Sequence, residues 1–238
     1  SVEVTSSSRI QSSAGLVTLA PERVPREFIG CLVKSGVHVS LGHSMATYEE
    51  TCAAKAQGLN GFTHLFNAMR PLTSREPGPI ALALEAPDVW FGLIVDGFHV
   101  DPVILRIALR GLGRPILVTD AMPPVGGSRP SFNLYGHGIQ ALGGRCLRAD
   151  GTLAGTVLDM ASAVRNCVSL LQVPLEDALG FASRNPAEFI GVGNRLGKLD
   201  AGYRADMVAI DPQTISVLAT WVAGQKNFPE RPLPKTHF

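Results

Sequence analysis

The sequence has no excess of charge of either sign. Its 238 residues hold 21 Lys and Arg against 20 Asp and Glu, which gives a formal net charge of +1. A chain so balanced has no extended positive field with which to bind nucleic acid or an anionic membrane surface. Hydrophobic residues make up 45% and charged residues only 17%, a composition that excludes disorder as the main state. We therefore expect a globular protein with no nucleic-acid and no membrane partner.

Paired cysteines and long apolar runs are missing as well. The four cysteines are scattered, without a CxxC pair: Cys31, Cys52, Cys146 and Cys167. This pattern predicts neither a zinc ribbon nor a disulfide scaffold. We expect all four cysteines to be reduced thiols. No run approaches the roughly 20 apolar residues of a membrane helix, and the Ser-rich residues 1–13 contain no apolar segment like that of a secretory signal. We expect a soluble, cytoplasmic protein whose natural chain begins earlier, because the initiator Met is missing.

From Leu16 onward, short apolar runs alternate with longer amphipathic ones. The runs predict five strands, at residues 16–20, 37–41, 61–65, 91–95 and 115–119. Helices are predicted between them, at residues 21–35, 48–57 and 102–112. Thr47 and Glu50 have the spacing of a capping box at the start of the second helix. This alternation is typical of βαβ units and a parallel sheet, so the fold class is α/β and the architecture a partial (β/α)8 TIM-type barrel.

Two later segments break the alternation. Residues 123–150 are rich in Gly and Pro and alternate in polarity over 132–141, which predicts a hairpin; helices are expected afterwards at 157–171, 174–183 and 186–190. Short strands at 205–210 and 215–222 predict part of a small β-domain. The predicted organisation is a polar N-terminal segment (1–15), a partial metal-dependent hydrolase barrel (16–195) with a hairpin insertion near 123–150, strands of the small β-domain (196–225) and a tail (226–238).

Polar residues collect where the predicted strands end. His43 closes the second strand, His64 lies in the third, Asp96 and His99 close the fourth, and Asp120 closes the fifth. A lone histidine or aspartate at such a place is more often structural than functional. Several together converge on one mouth when the strands are parallel. Two imidazoles on adjacent strands can ligate a divalent metal, and a nearby carboxylate can move the protons of a water that the metal activates.

The motifs around these residues resemble those of N-acetylglucosamine-6-phosphate deacetylases of the amidohydrolase superfamily. The resemblance runs from about Leu16 to Gln225, and its most specific piece is Thr-His-Leu-Phe-Asn-Ala-Met at residues 63–69. The other matching motifs are Gly42-His43-Ser44, Arg75-Glu76-Pro77-Gly78, Asp96-Gly97-Phe98-His99-Val100, Val118-Thr119-Asp120-Ala121, Gly151-Thr152-Leu153-Ala154-Gly155, and Gly197-Lys198-Leu199-Asp200-Ala201-Gly202 followed by Ala205-Asp206.

The resemblance implies a role for each matching residue. His43 and His64 would ligate the catalytic metal, and Asp120 would be the general base that takes a proton from the attacking water and returns it to the departing amine. Asn67, the backbone at Ala68, Arg75 and His99 would hold the sugar phosphate, and Leu153, in a loop before the next helix, would lie beside the acetyl group. A homodimer is implied too. Zn is the first choice of metal, with Fe, Mn and Co open and the number of ions, one or two, undetermined.

Part of the family pattern is absent from the chain. The resemblance implies a third protein ligand, a Glu on a strand before Leu16, and no such segment is present. Glu22 is a poor substitute, since helix N-terminus chemistry explains it. We expect the 238 residues to be the C-terminal part of a longer chain, to which the deacetylation of N-acetylglucosamine 6-phosphate belongs. Two alternatives stay open: a deacetylase for another N-acyl sugar phosphate, such as N-acetylgalactosamine 6-phosphate, and an inactive truncated module that acts as a folding or assembly partner.

Overall fold

A five-stranded parallel sheet carries the polar strand ends. The computed structural model describes residues 15–25, 27–127 and 129–228, so much of the predicted N-terminal segment and tail lies outside the described residues. The strands are β1 (Gly15–Leu19), β2 (Val37–Leu41), β3 (Gly61–Phe62), β4 (Trp90–Leu93) and β5 (Arg114–Leu117). They pair in chain order, each parallel to the next. The predicted α/β class and parallel sheet are confirmed.

Four helices connect these strands: α1 (Phe28–Lys34), α2 (Tyr48–Ala56), α3 (Gly78–Glu85) and α4 (Pro102–Ala108). The capping box of α2 is confirmed, because the backbone N–H of Glu50 donates to the Thr47 hydroxyl over 3.1 Å and the backbone N–H of Thr47 donates to the Glu50 carboxylate over 2.7 Å. The helix predicted over 21–35 is wrong in its first half. Only a 3-10 turn forms, at Pro21–Arg23, since Pro25 disfavours a helical conformation at Val24, which is extended at φ −122° and ψ 154°.

The core lies where the sheet meets its helices. All four residues of β4 and the last three of β2 are buried, as expected for parallel strands covered on both faces. The largest fully buried side chains include Phe62, Phe91, Leu41, Leu59 and Leu105. The third strand is shorter than predicted and ends at Phe62, so His64 lies just beyond the strand and not within it.

An antiparallel sheet, which we call the flap, follows β5. It consists of β6 (Ser131–Leu134), β7 (His137–Leu142), β8 (Arg145–Arg148) and β9 (Leu153–Thr156), paired in that order. The hairpin predicted over 132–141 is present as β6 and β7, with Phe132 opposite Ile139. Leu153 is not in a loop as predicted: it begins β9 and lies opposite Leu147 of β8. An isolated parallel bridge between Thr156 and Ala121 joins the flap to the segment after β5.

The rest of the described chain forms three helices and a small sheet. The helices are α5 (Met160–Leu171), α6 (Leu175–Ala182) and α7 (Arg184–Phe189). The antiparallel sheet comprises β10 (Met207–Ile210), β11 (Val217–Val222) and β12 (Gln225–Phe228). Helix α5 begins three residues later than predicted because Asp159 caps it, accepting the backbone N–H of Ser162 over 2.8 Å. Among the described residues, no helix has both the length and the apolar character needed to cross a membrane.

Candidate active site at the strand ends

Three predicted site residues share an uncommon backbone conformation. His43, His64 and Asp120 follow β2, β3 and β5 with φ values of +50°, +31° and +49°. Residues other than glycine rarely adopt positive φ, and the strain that it costs is typically found at functional sites. The parallel order of the sheet puts all three at its carboxyl-terminal edge.

Two glycines let the histidine segments approach each other. Gly42, directly before His43, lies between the side chains of Thr18 and Thr63, and a Cβ at Gly42 would be 2.6 and 2.4 Å from their methyl groups. Gly92 of β4 lies against the segment after β3, since a Cβ there would be 3.2 Å from the backbone nitrogen of His64. A side chain at position 42 would therefore clash with both threonines, whereas one at position 92 would require the segment after β3 to move by a few tenths of an ångström.

The two imidazoles are in contact. The ring centroids of His43 and His64 are 4.9 Å apart, with the rings at 77° to each other. His64 is 8% exposed, and its Nδ1 is buried without a hydrogen-bond partner among the described residues. Burial is the main cause that lowers the pKa of His64, and the neighbouring His43 lowers it further, while the charge of Asp120 acts in the opposite direction. A neutral imidazole is the form that ligates a metal.

This donor set fits part of a divalent metal site. A buried ring nitrogen without a partner is costly, and two adjacent imidazoles are suitable ligands for a transition metal. Within the ranges that the structure describes, however, no group of three or more His, Cys, Asp or Glu side chains could hold an ion. The described residues thus offer two adjacent imidazoles suited to a metal, and no complete metal site.

Glu22 does not complete such a group with the two histidines, and both of its carboxylate oxygens accept hydrogen bonds from the chain. The Ser44 hydroxyl donates to Oε2 and the backbone N–H of Met45 donates to Oε1, each over 2.7 Å. Burial alone would raise the pKa of Glu22, but these two hydrogen bonds outweigh it and lower the pKa. Glu22 therefore fixes the segment that carries His43, a role that the sequence analysis missed.

The flap holds the backbone of Asp120 and leaves its side chain exposed. The backbone N–H of Thr156 donates to the Asp120 carbonyl over 2.9 Å, and the Thr156 hydroxyl donates to the Thr119 carbonyl over 2.6 Å. Asp120 is close enough for its charge to act on the pKa values of both His64 and Cys146. A carboxylate that is fixed by its backbone, accessible and near the imidazole of His64 is suited to carry a proton.

At the end of β4, His99 pairs with Asp96. The Nδ1 of His99 lies 2.6 Å from Oδ2 of Asp96, and their side chains are 6% and 3% exposed. Burial would raise the pKa of Asp96, but hydrogen bonds from the His99 side chain and from the backbone N–H groups of His99 and Phe98 lower it overall. The sequence placed both residues at this strand end without pairing them.

The remaining predicted substrate residues are dispersed around the strand ends. The side-chain amide of Asn67 donates to the carbonyls of His64 and Leu65, over 3.1 and 3.2 Å, which fixes the turn after β3. Ala68 follows with φ +48°. Arg75 is exposed in the loop before α3 and makes no hydrogen bond or ion pair within the described parts of the chain. Leu153 is half-buried in β9. The structure thus brings His43 and His64 into contact, with Asp120 near enough for its charge to act on His64; within the described residues, no hydrogen bond or ion pair joins the side chain of Arg75 or Leu153 to these three.

Comparison with known proteins points to one family. The model of the amidohydrolase family matches residues 24–231. An N-acetylgalactosamine-6-phosphate deacetylase of Shewanella sp. is 44% identical over 212 residues, which are 88% of this chain and 53% of that protein. An N-acetylglucosamine-6-phosphate deacetylase of Vibrio furnissii is 38% identical, over 92% of this chain and 55% of that protein. The chain thus spans about half the length of the curated relatives that it matches.

Solved structures agree with that result. The N-acetylglucosamine-6-phosphate deacetylase of Pasteurella multocida superposes with a TM-score of 0.86 at 35% identity, over 89% of this chain and 56% of that one. A variant of the Mycobacterium smegmatis enzyme, solved in complex with N-acetyl-D-glucosamine-6-phosphate, gives a TM-score of 0.82 at 38% identity, over 89% and 57% of the two chains.

Proposed function

The chain belongs to the amidohydrolase family, and from that premise we propose that the protein of which it is part hydrolyses the acetamide of N-acetylglucosamine 6-phosphate to glucosamine 6-phosphate and acetate. The observation that carries this proposal is the contact between His43 and His64 beside Asp120 at one edge of a parallel sheet. Relatives at 38–44% identity that are named as deacetylases of acetylated amino-sugar phosphates support the substrate class.

Each residue of the site has a chemical task in this proposal. His43 and His64 would hold a divalent ion, most readily Zn, which supplies Lewis-acid polarisation of the amide carbonyl when bound. Asp120 accepts the proton of the attacking water and delivers it to the nitrogen of the leaving amine. Arg75, with Asn67, His99 and the backbone at Ala68, positions the phosphate, for which a guanidinium is well suited. Leu153 contacts the acetyl group.

A second substrate is supported by a specific observation. The relative with 44% identity is named as a deacetylase of N-acetylgalactosamine 6-phosphate, and so is an Escherichia coli O157:H7 protein with 38% identity. The two sugars differ only in the configuration at C4. Comparing kcat/KM for the two epimers decides between them.

The proposal also includes a homodimer, which the family resemblance implies, a cytoplasmic location, and metal ligands from outside the described residues. It is tested by measuring metal content and acetate release for the 238-residue chain alone and for the same chain extended to the full length of its relatives. We expect substoichiometric metal and little acetate from the first, and bound metal with turnover from the second. A full-length protein that binds metal and still releases no acetate from either epimer would refute the deacetylase function.

A further inference from the structure

Both carboxylate oxygens of Asp96 are bound within the loop that follows β4. Its Oδ1 accepts the backbone N–H groups of Phe98 and His99, each over 2.9 Å, while its Oδ2 lies 2.6 Å from Nδ1 of His99. Gly97 adopts the positive φ of +79° that this tight turn requires. At 2.6 Å from a carboxylate oxygen, Nδ1 must carry a proton and donate it. The ring nitrogen left for any other partner is Nε2.

The surroundings of the loop hold this arrangement in place. The Asn166 side chain of α5 donates to the carbonyl of Val95 over 2.8 Å, just before Asp96. On the other side, the guanidinium of Arg145 in the flap lies 5.0 Å from the centre of the Phe98 ring. Both the Asp96 and the His99 side chains are almost completely removed from water, so their hydrogen bond is little screened.

We propose that Asp96 is a positioning residue, which holds His99 with its proton on Nδ1 so that Nε2 is presented to the sugar phosphate. A carboxylate behind an imidazole commonly fixes its tautomer and ring orientation in this way. It also balances the positive charge that the ring carries when Nε2 donates to a phosphate oxygen. This inference rests on the proposed function for the identity of the ligand, whereas the tautomer of His99 is independent of it.

The geometry makes one substitution especially informative. In an Asp96→Asn variant, the two backbone N–H groups at Oδ1 require the amide oxygen on that side, which turns the amide NH2 towards His99 Nδ1. Since an NH2 group donates, Nδ1 must then accept, and the ring must move its proton to Nε2. The substitution therefore reverses the tautomer of His99 with almost no change of shape.

Nitrogen-15 NMR of the histidine rings in the labelled 238-residue chain tests this, at about pH 8.5, where unperturbed imidazoles are neutral. A His99→Gln variant assigns the His99 resonances among the six histidines. In the unmodified chain we expect protonated Nδ1 and bare Nε2, and in Asp96→Asn the two resonances exchange character. Asp101→Asn is the matched control: Asp101 caps α4 in the same loop through the N–H of Val103, and this variant should leave His99 unchanged.

A bare Nδ1 with the proton on Nε2 in the unmodified chain would overturn the proposal, and this outcome needs no variant to fold. So would an Asp96→Asn chain in which Nδ1 stays protonated. In a second measurement, glucosamine 6-phosphate added to the full-length protein should shift the Nε2 resonance far more than that of Nδ1, whereas glucosamine alone should shift neither. If the tautomers are as expected but Nε2 does not respond, the substrate half of the inference fails and the positioning of the ring stands.

Discussion

The hydroxyl of Thr156 joins the flap to the segment that carries Asp120. The substitution Thr156→Val tests that connection. Thr156 is completely buried. Its Oγ1 donates to the Thr119 carbonyl over 2.6 Å and accepts the backbone N–H of Leu158 over 2.9 Å. Valine has nearly the same shape, so Thr156→Val removes two hydrogen bonds without opening a cavity.

The expected loss follows from these two contacts. The N–H of Leu158 is buried, and leaving it without a partner costs about 1–3 kcal/mol. The Thr119 carbonyl is only partly buried, so we discount its contribution to about 0.5 kcal/mol. The free energy of unfolding should therefore fall by about 1.5–3.5 kcal/mol, which corresponds to a Tm lower by roughly 3–14 °C for a chain of this size.

Urea unfolding followed by circular dichroism measures this difference. Thr73→Val is the matched control, because the Thr73 hydroxyl also makes two backbone contacts, both to Glu76 at 3.0 Å, but on the exposed surface; its effect should stay within about 0.5 kcal/mol. Thr156→Ser, which keeps the hydroxyl, should recover most of the loss. If Thr156→Val proves as stable as Thr73→Val, the hydroxyl does not anchor this segment and the reasoning is wrong.

Four further predictions concern the site and the thiols. In the full-length protein, Asp120→Asn should abolish acetate release while metal content stays unchanged, and retained turnover would exclude Asp120 as the base. Arg75→Ala should raise KM far more for the phosphorylated sugar than for the unphosphorylated one, and equal effects on both would refute its phosphate contact. Glu22→Gln should lower the free energy of unfolding at pH 7. Because the pKa of Glu22 is lowered in the folded state, this difference between the variant and the unmodified chain should shrink as the pH falls below about 4. A difference that does not depend on pH would contradict the role of the Glu22 charge. Iodoacetamide should modify the exposed Cys31 in the native chain but reach Cys167, whose pKa burial raises to about 12, only after unfolding, as mass spectrometry of the alkylated chain would show.

Local sequence signals predicted the helices and strands well where their causes are local. The Thr47–Glu50 capping box lies within four residues, and both of its hydrogen bonds are present. The split of the first predicted helix also has a local cause, Pro25, which the amphipathic pattern concealed. By contrast, β8 and β9 were not predicted. Arg145–Arg148 shows no apolar alternation, so the strand conformation of β8 depends on its pairing with β7 and β9.

In the candidate site, too, the features with local causes were predictable and those that depend on distant residues were not. The sequence placed His43 and Asp120 at strand ends and His64 within the third strand, because apolar runs locate strands; the structure moves His64 just beyond its strand. The groups that fix them are remote: Glu22 is 22 residues from Ser44 and Thr156 is 37 residues from Thr119, distances over which a single sequence carries no pairing signal. The contact of Asp96 with His99 spans three residues, so it could have been proposed from their spacing alone.

The positive φ angles at His43, His64 and Asp120 have a consequence for how this protein responds to selection. A glycine at the exposed His43 or Asp120 would relieve a strain of order 1 kcal/mol, whereas at His64 it would also remove a buried ring that packs against His43. In a library selected only for resistance to heat or protease, glycine should therefore accumulate at positions 43 and 120 but not at position 64. Under the proposed function, selection of the full-length protein for acetate release should remove glycine from all three positions. Sequencing the survivors of both selections would then separate stability from activity at the two exposed positions without any assay of single variants.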